Sequence, residues 1–426
     1  MTSLQLLLWI AGGILLQVAI YLGLGFARHW QSYQALRTAV VEADVPLPSI
    51  EPARHEEVLP AAWSGFRTFQ VVNRGVEDAK GEVCSFYLAP QDGQPLPAFL
   101  PGQFLTFKLD IACADGGTES VVRCYSLSDA PRADSYRVSI KRAPAPSGSG
   151  LAPGRSSNHF HDHVQVGSLL QVRAPAGHFY LDAGDAPIVL IGGGIGITPM
   201  MSMLNWCTAA QPQREVWLFF GVRDGAELVM LRHLQALASA RPSFQLHICF
   251  SDPKPGDLDA PALEAASRHH SRVSVALLRT LLPLKPYHYY LCGPTPMLQS
   301  LVPALEDWGV PDARIHFEAF GPASIPRKNA ARPPDATPSG SEAVMVTFAK
   351  AAKQLAWTPG SGNLLDFAEA HGIAVGSGCR AGSCGSCQTS IRAGEVAYSQ
   401  SPDFDPDPGS CLLCVTTPKT AVTLEA

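Results

Sequence analysis

The sequence predicts a multidomain protein with an N-terminal transmembrane helix, an antiparallel β-barrel, an α/β parallel-sheet domain and a small cysteine-rich domain. Three observations predict this class. The chain has 426 residues, too many for one core at about 100 to 200 residues per domain. No charged side chain occurs among residues 1–27. Near residue 187 the pattern changes from short alternating runs to buried hydrophobic runs separated by helical stretches.

The composition excludes several classes of protein. Hydrophobic residues make up 46% of the chain and charged residues 16%, which supplies several cores and excludes disordered and collagen-like chains. The net charge of −5 provides no basic field for a phosphate backbone, so no nucleic-acid partner is expected. Five of the 11 cysteines lie in the last 48 residues. This odd, uneven set differs from the disulfide framework of a secreted protein, so a reducing compartment is expected.

The N-terminal segment (residues 1–28) is predicted to be a retained membrane anchor. The apolar run from Leu4 to Gly25 would form a helix about 33 Å long, enough to cross the hydrocarbon core. A cleaved signal peptide and a buried helix are the alternatives, but no basic residue precedes the run and it exceeds a signal core in length. Arg28, His29 and Arg37 follow it, so the positive-inside rule places the remaining domains in the cytoplasm. We expect a single-pass protein of a bacterial-type plasma membrane with its N-terminus outside.

The remaining chain divides into two large domains, a small domain and two linkers. Residues 29–60 form a polar linker. Residues 61–184 contain short runs such as FRTFQVV and FLTFKLDI, which are typical of an antiparallel barrel. Residues 185–321 alternate buried runs such as IVLIGGG and VWLFFGV with helical stretches, which predicts a parallel α/β sheet. A Pro-, Ala- and Ser-rich linker (322–342) leads to the cysteine-rich domain (343–426).

The cysteine-rich domain carries an iron–sulfur signature. Cys379, Cys384 and Cys387 stand as Cys-x4-Cys-x2-Cys in a glycine-rich loop. With a distant fourth cysteine, this spacing is the plant-type ligation of a 2Fe-2S cluster. Zinc is the rival, but zinc sites usually pair two Cys-x2-Cys knuckles and only one such pair occurs here. The fourth ligand is Cys411 or Cys414.

The C-terminal sequence resembles plant-type ferredoxin domains, which have an α+β (β-grasp) fold. In those domains the last ligand directly precedes a strand that begins with Val or Gln. This resemblance selects Cys414, in SCLLCVTTP, as the fourth ligand. Cys411 is then expected to be a packed neutral thiol.

A flavin signature lies at the end of a predicted barrel strand. In RCYSLS, Arg123 offers a cation for a phosphate, Tyr125 a ring for the flavin face and Ser126 a hydroxyl for the reactive edge. Taken alone the motif is weak, because a strand ending in Tyr-Ser is often barrel core. Downstream, Gly154, Ser157 and Asn158 are placed to present backbone N–H groups to a diphosphate at a helix start.

The order of these motifs, followed by APAGHF, resembles the ferredoxin–NADP reductase superfamily, and most closely its bacterial oxygenase-reductase and flavohaemoglobin-type members. The resemblance implies a barrel that binds FAD, with Arg-x-Tyr-Ser at the isoalloxazine and its phosphate and Gly-x-x-Ser at the pyrophosphate. Ile140 and Lys141, in YRVSIKR, are also expected at the cofactor. Two departures leave FMN open: Phe160 replaces the usual Leu, and the segment before Gly154 is longer than typical.

A nicotinamide signature follows in the α/β domain. IVLIGGGIGITP is a buried strand, a glycine turn and a helix start, where N–H groups and the helix dipole meet a phosphate. YLCGPTPML occurs later in the same domain. The resemblance places six residues at the nicotinamide and its hydride path: Gly193, Gly194, Gly196, Thr198, Cys292 and Gly293. Cys292 has a packing role as its alternative.

Two further segments complete the cofactor prediction. Glu318 and Phe320, in HFEAFGP, match the closing segment that lies near the flavin in relatives, so the predicted catalytic residues are Ser126, Cys292 and Glu318. Asp252 stands where NADPH-specific relatives carry Arg, and a carboxylate there repels a 2′-phosphate and accepts a ribose hydroxyl. NADH is therefore favoured, and NADPH stays open because Lys254 lies close by.

These parts imply a membrane-tethered NAD(P)H-dependent reductase that passes electrons from NADH to FAD, to a 2Fe-2S cluster and on to a partner. The expected partner is an oxygenase or another terminal redox protein, such as one of the hybrid-cluster type. The expectation includes partners that are bound to the membrane. One alternative is direct reduction of a quinone or a small acceptor. The other is a redox-sensing docking module.

Overall fold

The computed structural model describes residues 17, 63–113, 116–145, 152–259, 265–320, 325, 343–378, 380, 382, 384–399, 402 and 404–426. The chain divides into two compact units, Met1–Pro60 and Ala61–Ala426. The predicted anchor and both predicted linkers lie outside the described residues, except for Gln17 and Ile325. Within the described ranges, no helix combines the length and the apolar character needed to cross a bilayer.

The first sheet of the second unit is the antiparallel barrel. Its order is β4-β3-β6-β1-β2-β5, and an isolated antiparallel bridge between Leu127 and Val138 joins the two outer strands. In β1, Phe69 and Val71 are buried while Gln70 between them is exposed, as expected of a strand with one face in a core. The strands are β1 (Arg67–Val76), β2 (Val83–Pro90), β3 (Phe104–Ala112), β4 (Thr118–Ser126), β5 (Tyr136–Lys141) and β6 (Leu169–Ala176).

Helix α1 (Arg155–His163) closes the barrel core with Phe160. This side chain is fully buried, and its ring meets those of Phe86, Phe107 and Tyr125 edge-on at centroid distances of 5.3 Å each. Edge-to-face rings stabilise such a cluster beyond the area they bury. Phe160, which stands where Leu is usual, thus completes an aromatic cluster that includes Tyr125.

The second sheet is parallel, with the order β10-β9-β8-β7-β11-β12. All six residues of β7 are buried, which explains their continuous apolar run. Between β7 and β11 the order in which the strands are connected reverses. Parallel sheets of this kind bind ligands at such a switch point. The strands are β7 (Ile188–Gly193), β8 (Val216–Val222), β9 (Phe244–Phe250), β10 (Ser267–His269), β11 (His288–Gly293) and β12 (Ile315–Ala319); the helices are α2 (Ile197–Ala210), α3 (Leu231–Ala240), α4 (Val275–Leu281) and α5 (Thr295–Asp307).

The C-terminal part is a mixed sheet with one helix, α6 (Leu364–Ala370), in which β13 and β19 run parallel and the other pairs antiparallel. The five-stranded order is β14-β13-β19-β15-β17, and β16 pairs with β18. The multidomain fold class is thereby confirmed for the described domains. The strands are β13 (Val344–Phe348), β14 (Lys353–Trp357), β15 (Gln388–Ala393), β16 (Val396–Tyr398), β17 (Ser410–Leu412), β18 (Thr416–Pro418) and β19 (Val422–Leu424).

The aromatic cluster predicts a stability difference. Phe160→Ala should lower the free energy of unfolding of the barrel by about 3–5 kcal/mol, because it removes a buried ring and leaves a cavity. Phe160→Leu should cost less than about 1.5 kcal/mol. Urea denaturation measures both, with Val166→Ala as a control, since Val166 is 62% exposed. Equal midpoints for Phe160→Ala and Val166→Ala would refute the role of the ring.

Candidate functional site

The two glycine loops of the α/β domain touch at the switch point. Strand β7 ends at Gly193 and its neighbour β11 ends at Gly293. A Cβ on Gly293 would lie 3.0 Å from the Cα of Gly193, and a Cβ on Gly193 would lie 2.8 Å from the sulfur of Met297. A Cβ on Gly196 would overlap the carbonyl oxygen of Cys292. Only glycine fits this cradle, and its shape suits a dinucleotide phosphate at the start of a helix.

Three predicted residues of this cradle have structural partners. The hydroxyl of Thr198 donates to the carbonyl of Ile195 at 2.9 Å and so fixes the turn that begins α2. Cys292 is fully buried, and burial raises its pKa well above the usual range, with a further contribution from the charge of Glu318. Cys292 pairs with Glu318 in the register of β11 and β12. Burial therefore favours the neutral thiol over the thiolate, and the role of Cys292 at the hydride path stays a prediction.

The helix that follows this cradle is hydrogen-bonded to Asp129, just after the flavin motif of the barrel (residues 123–126). Ser202, on α2, donates through its hydroxyl to the carbonyl of Asp129 at 2.8 Å. Asn205 donates through Nδ2 to the carboxylate of the same residue at 2.6 Å. Asp129 comes three residues after Ser126. The nicotinamide cradle and the flavin motif are thus held in a fixed relation.

The flavin motif occupies the end of β4. The phenol of Tyr125 lies 2.9 Å from the hydroxyl of Ser156, at the start of α1. Burial raises the pKa of Tyr125 to about 12, so the phenol is protonated at neutral pH. Ser126 is 6% exposed and pairs with Phe104 of β3. The side chain of Arg123 is exposed.

The predicted diphosphate segment is arranged around Ala143. A Cβ on Gly154 would lie 2.7 Å from the Cβ of Ala143, so a side chain has no room there. The hydroxyl of Ser157 accepts a hydrogen bond from the N–H of Ala143 at 3.3 Å. Nδ2 of Asn158 donates to the carbonyl of Ala143 at 3.2 Å. Among the described residues, Oδ1 of Asn158 is buried without a hydrogen-bond partner. This unsatisfied acceptor fits a ligand that supplies a donor.

Three other predicted cofactor residues are Ile140, Lys141 and Phe320. Ile140 is 1% exposed, and its carbonyl accepts from His161 at 2.9 Å, so it belongs to the barrel core. The predicted cofactor contact of its side chain is therefore not supported by its position. The amine of Lys141 lies 3.8 Å from the carboxylate of Glu82. Phe320 is 47% exposed.

Asp252 is exposed and carries a local counter-ion. Its carboxylate lies 2.8 Å from the amine of Lys254, which holds the pKa of Asp252 below its usual range. The carboxylate is therefore ionised at neutral pH. Its repulsion of a second anion is weakened by the neighbouring cation.

Three of the four predicted cluster ligands are buried in the C-terminal domain. Cys384, Cys387 and Cys414 are 2–4% exposed, and the Sγ atoms of Cys387 and Cys414 lie 3.2 Å apart. Cys379 lies outside the described residues. In the described ranges no three ligand side chains converge on one metal position. A 2Fe-2S cluster has no need of such a group, since its four thiolates are shared between two irons.

Cys411 is fully buried on strand β17 and belongs to the same core as Cys387 and Cys414. It pairs with Thr389 in the register of β15 and β17. Burial raises its pKa to about 11, so it is a neutral thiol at physiological pH. The approach of Cys414 to Cys387 therefore favours Cys414 as the fourth ligand.

The loop around these cysteines, here called the cluster loop (residues 376–387), is shaped by close contacts. A Cβ on Gly378 would lie 2.6 Å from the sulfur of Cys384. Gly385 has a φ of +69°, and a Cβ there would lie 2.6 Å from the ring of Phe404. The backbone thus wraps tightly around the thiols, which fits an inorganic cluster.

The cluster loop contacts the barrel next to the flavin motif. Arg123 donates through Nη1 to the carbonyl of Ser377 at 3.3 Å, and Arg173, on β6, donates to the carbonyl of Cys384 at 2.6 Å. The two arginines belong to strands that flank β3 in the barrel. Sequence analysis missed Arg173, Phe404 and Asp129, because no local motif marks a residue whose partners lie in another domain.

Comparison with known proteins agrees with this geometry. The family model for the oxidoreductase NAD-binding domain matches residues 190–302, and that for the 2Fe-2S iron-sulfur cluster binding domain matches residues 352–419. A flavohemoprotein of Halalkalibacterium halodurans is 37% identical over 278 residues. The alignment covers 64% of this chain and 65% of that relative, so the chain spans just under two thirds of its length.

Two solved structures are similar to the chain. One is the flavohem-like FAD/NAD binding domain of nitric oxide dioxygenase from Vibrio cholerae O1 biovar El Tor. It is 31% identical to this chain, with a TM-score of 0.51. The match covers 61% of this chain and all of that domain. Phthalate dioxygenase reductase is 24% identical, with a TM-score of 0.50, and shares its fold over 85% of this chain and 98% of its own. The predicted cofactors FAD, NAD and a 2Fe-2S cluster are confirmed by these matches. The chain belongs to the ferredoxin–NADP reductase family of oxidoreductases and carries a C-terminal 2Fe-2S domain.

Proposed function

We propose that this protein is an NADH-dependent reductase that delivers single electrons through its 2Fe-2S cluster to a separate terminal redox protein. One observation carries the proposal. The cluster loop is hydrogen-bonded to the barrel beside the flavin motif, through Arg123 and Arg173. This contact supports a path in which the cluster would be the exit for electrons that reach the barrel.

The bound groups supply the redox chemistry: NADH gives two electrons and one proton as a hydride, the flavin accepts both electrons, and the cluster passes them on singly. The chain supplies binding and alignment. The cradle formed by Gly193, Gly196 and Gly293 would hold the nicotinamide coenzyme against the start of α2. The hydrogen bonds from Ser202 and Asn205 to Asp129 keep that helix on the barrel.

The flavin would be held by the residues of the flavin motif and by the start of α1. Tyr125 offers a protonated phenol and Ser126 a nearly buried hydroxyl. The unsatisfied oxygen of Asn158 offers an acceptor beside the predicted diphosphate segment. The cluster would be held by Cys379, Cys384, Cys387 and Cys414, of which the last three are buried around the cluster loop.

A terminal oxygenase is the partner that the comparisons favour. The similar fold of phthalate dioxygenase reductase belongs to a protein whose name states that it serves a dioxygenase. The similar domain from Vibrio cholerae is, by its name, the FAD/NAD binding domain of a nitric oxide dioxygenase. This chain has the reductase module and a cluster, so we assign the oxygen chemistry to another protein.

We also propose that residues 1–28 tether the enzyme to the plasma membrane with its soluble domains in the cytoplasm. The support is the sequence: an uncharged apolar run long enough to cross a bilayer, followed directly by Arg28 and His29. A tether would hold the reductase near a membrane-bound acceptor and raise the effective concentration of the pair.

The proposed electron path predicts the effect of Cys384→Ser. Loss of a thiolate ligand should abolish NADH-dependent reduction of cytochrome c, while reduction of the flavin by NADH stays within about twofold of wild type. Stopped-flow absorbance and steady-state cytochrome c assays measure the two steps. Cys207→Ser, in the α/β core, is the control for loss of a buried thiol. Equal loss of both steps in Cys384→Ser would contradict the proposed order.

The ligand set predicts a contrast between two neighbouring cysteines. Cys414→Ala should yield protein without a cluster, whereas Cys411→Ala should retain it, because the Cys411 thiol lies in the core. Iron content and visible absorbance of the purified proteins measure the difference. A cluster retained in Cys414→Ala and lost in Cys411→Ala would reverse the assignment.

The coenzyme preference predicts opposite effects at two exposed residues. Asp252→Ser should raise the ratio of kcat/KM for NADPH over NADH by about tenfold, because it removes repulsion of a 2′-phosphate and leaves Lys254. Lys254→Gln should lower the same ratio. Steady-state kinetics with both coenzymes measure it, and an unchanged ratio in Asp252→Ser would show that this strand end plays no part in the choice.

The tether predicts how a truncated chain fractionates. The full chain should sediment with membranes, and a chain beginning at Trp30 should remain in the supernatant while it keeps NADH-dependent ferricyanide reduction. Ultracentrifugation followed by the dye assay measures both properties. A truncated chain that still sediments with membranes would show that residues 1–29 are not the anchor.

A further inference from the structure

One arginine of the barrel has contacts with both the barrel and the C-terminal domain. Nη1 of Arg173 donates to the carbonyl of Cys384 at 2.6 Å. Its guanidinium lies 4.8 Å from the ring centroid of Phe66 in the barrel and 5.2 Å from that of Phe404 in the C-terminal domain. The cation is therefore enclosed by rings from two domains and bonded to the backbone of a predicted cluster ligand.

Phe404, the partner of Arg173 in the C-terminal domain, also contacts the cluster loop. The N–H of Phe404 donates to the carbonyl of Gly382 at 3.1 Å. The ring of Phe404 covers Gly385, where a Cβ would lie 2.6 Å from it. Phe404 thus contacts both Arg173 and the cluster loop.

Among the described residues, no carboxylate balances the charge of Arg173. In the described part of the chain its Nε is buried without a hydrogen-bond partner, and no carboxylate forms an ion pair with it. Arg67, on the adjacent strand β1, differs in this respect. It also lies over two rings, those of Trp63 and Phe69, but Asp92 accepts from its Nε at 2.9 Å and its contacts remain within the barrel. Arg173 is half-buried and keeps one buried N–H without a partner, which packing alone does not explain.

We propose that Arg173 is a positioning residue for electron transfer: it fixes the cluster loop on the barrel, and its unbalanced charge favours the reduced cluster. The inference rests on the proposed function. Two redox groups exchange electrons efficiently only when their relative position is fixed, which the hydrogen bond and the two ring contacts provide. Reduction adds one negative charge to the cluster, and a nearby cation stabilises that charge.

The test compares holoenzymes of Arg173→Gln and Arg67→Gln with wild type in anaerobic stopped flow. Reduction of the flavin by NADH should stay within about twofold in both variants. The following reduction of the cluster should slow by about tenfold or more in Arg173→Gln alone, since a charged hydrogen bond to the loop is lost. Cluster reduction at the wild-type rate in a folded, cluster-loaded Arg173→Gln would overturn the inference.

Two further measurements separate positioning from simple stability. Redox titration followed by EPR should give a more negative cluster potential in Arg173→Gln and an unchanged one in Arg67→Gln. Hydrogen exchange of the cluster loop should accelerate in Arg173→Gln only. Arg173→Lys keeps the charge but loses the planar fork, so its potential should remain near wild type while electron transfer to the cluster slows. Identical behaviour of the Lys and Gln variants in both properties would contradict the role of the charge.

If Arg173→Gln does not fold or load its cluster, Phe404→Leu tests the contact from the other domain and should slow cluster reduction in the same way. A wild-type rate in Phe404→Leu would then overturn the inference. The proposed function fails separately: in that case the wild-type holoenzyme itself would show flavin reduction by NADH with no reduction of the cluster.

Discussion

The hydrogen bond from Arg173 to the carbonyl of Cys384 is the contact on which the proposed electron path depends. It crosses 211 residues of sequence and joins the barrel to the loop that carries three predicted cluster ligands. Together with the bond from Arg123 to Ser377, it places the cluster domain against the strands that carry the flavin motif. Efficient transfer of single electrons between two redox groups requires that their relative position is fixed.

The barrel is the element that connects entry and exit. On one side, Asp129 receives the hydrogen bonds from Ser202 and Asn205, so the helix that begins at the nicotinamide cradle is tied to the chain directly after the flavin motif. On the other side, the arginines of β4 and β6 hold the cluster loop. The barrel core supports both connections through the aromatic cluster around Phe160. The barrel, which comes first of the three domains along the chain, thus contacts both of the others.

The sequence was sufficient for features that reside in short segments. Cysteine spacing identified the cluster domain, and the glycine loops identified the nicotinamide cradle, because each chemistry requires specific residues at specific intervals. The sequence was insufficient where distant segments meet. Arg173 occupies an ordinary position in a barrel strand, and its importance becomes visible only beside Cys384 and Phe404.

Burial was the second property that the motifs did not reveal. Ile140, in the segment YRVSIKR, was predicted at the cofactor; its side chain lies in the barrel core and its carbonyl accepts a hydrogen bond from His161. Cys292 was left between a kinetic and a packing role, and its complete burial makes it a neutral thiol. The choice between Cys411 and Cys414 needed a distance, which the approach of Cys414 to Cys387 supplies.

Anaerobic titration of the full-length protein, loaded with FAD and its cluster, tests the central claim most directly. With NADH as the only reductant, flavin absorbance and the EPR signal of the reduced cluster are recorded in the same samples. The proposed path predicts that the flavin bleaches and that the cluster signal grows toward about one spin per chain. Bleaching of the flavin with a cluster that stays oxidised, although dithionite reduces it, would contradict the path from flavin to cluster.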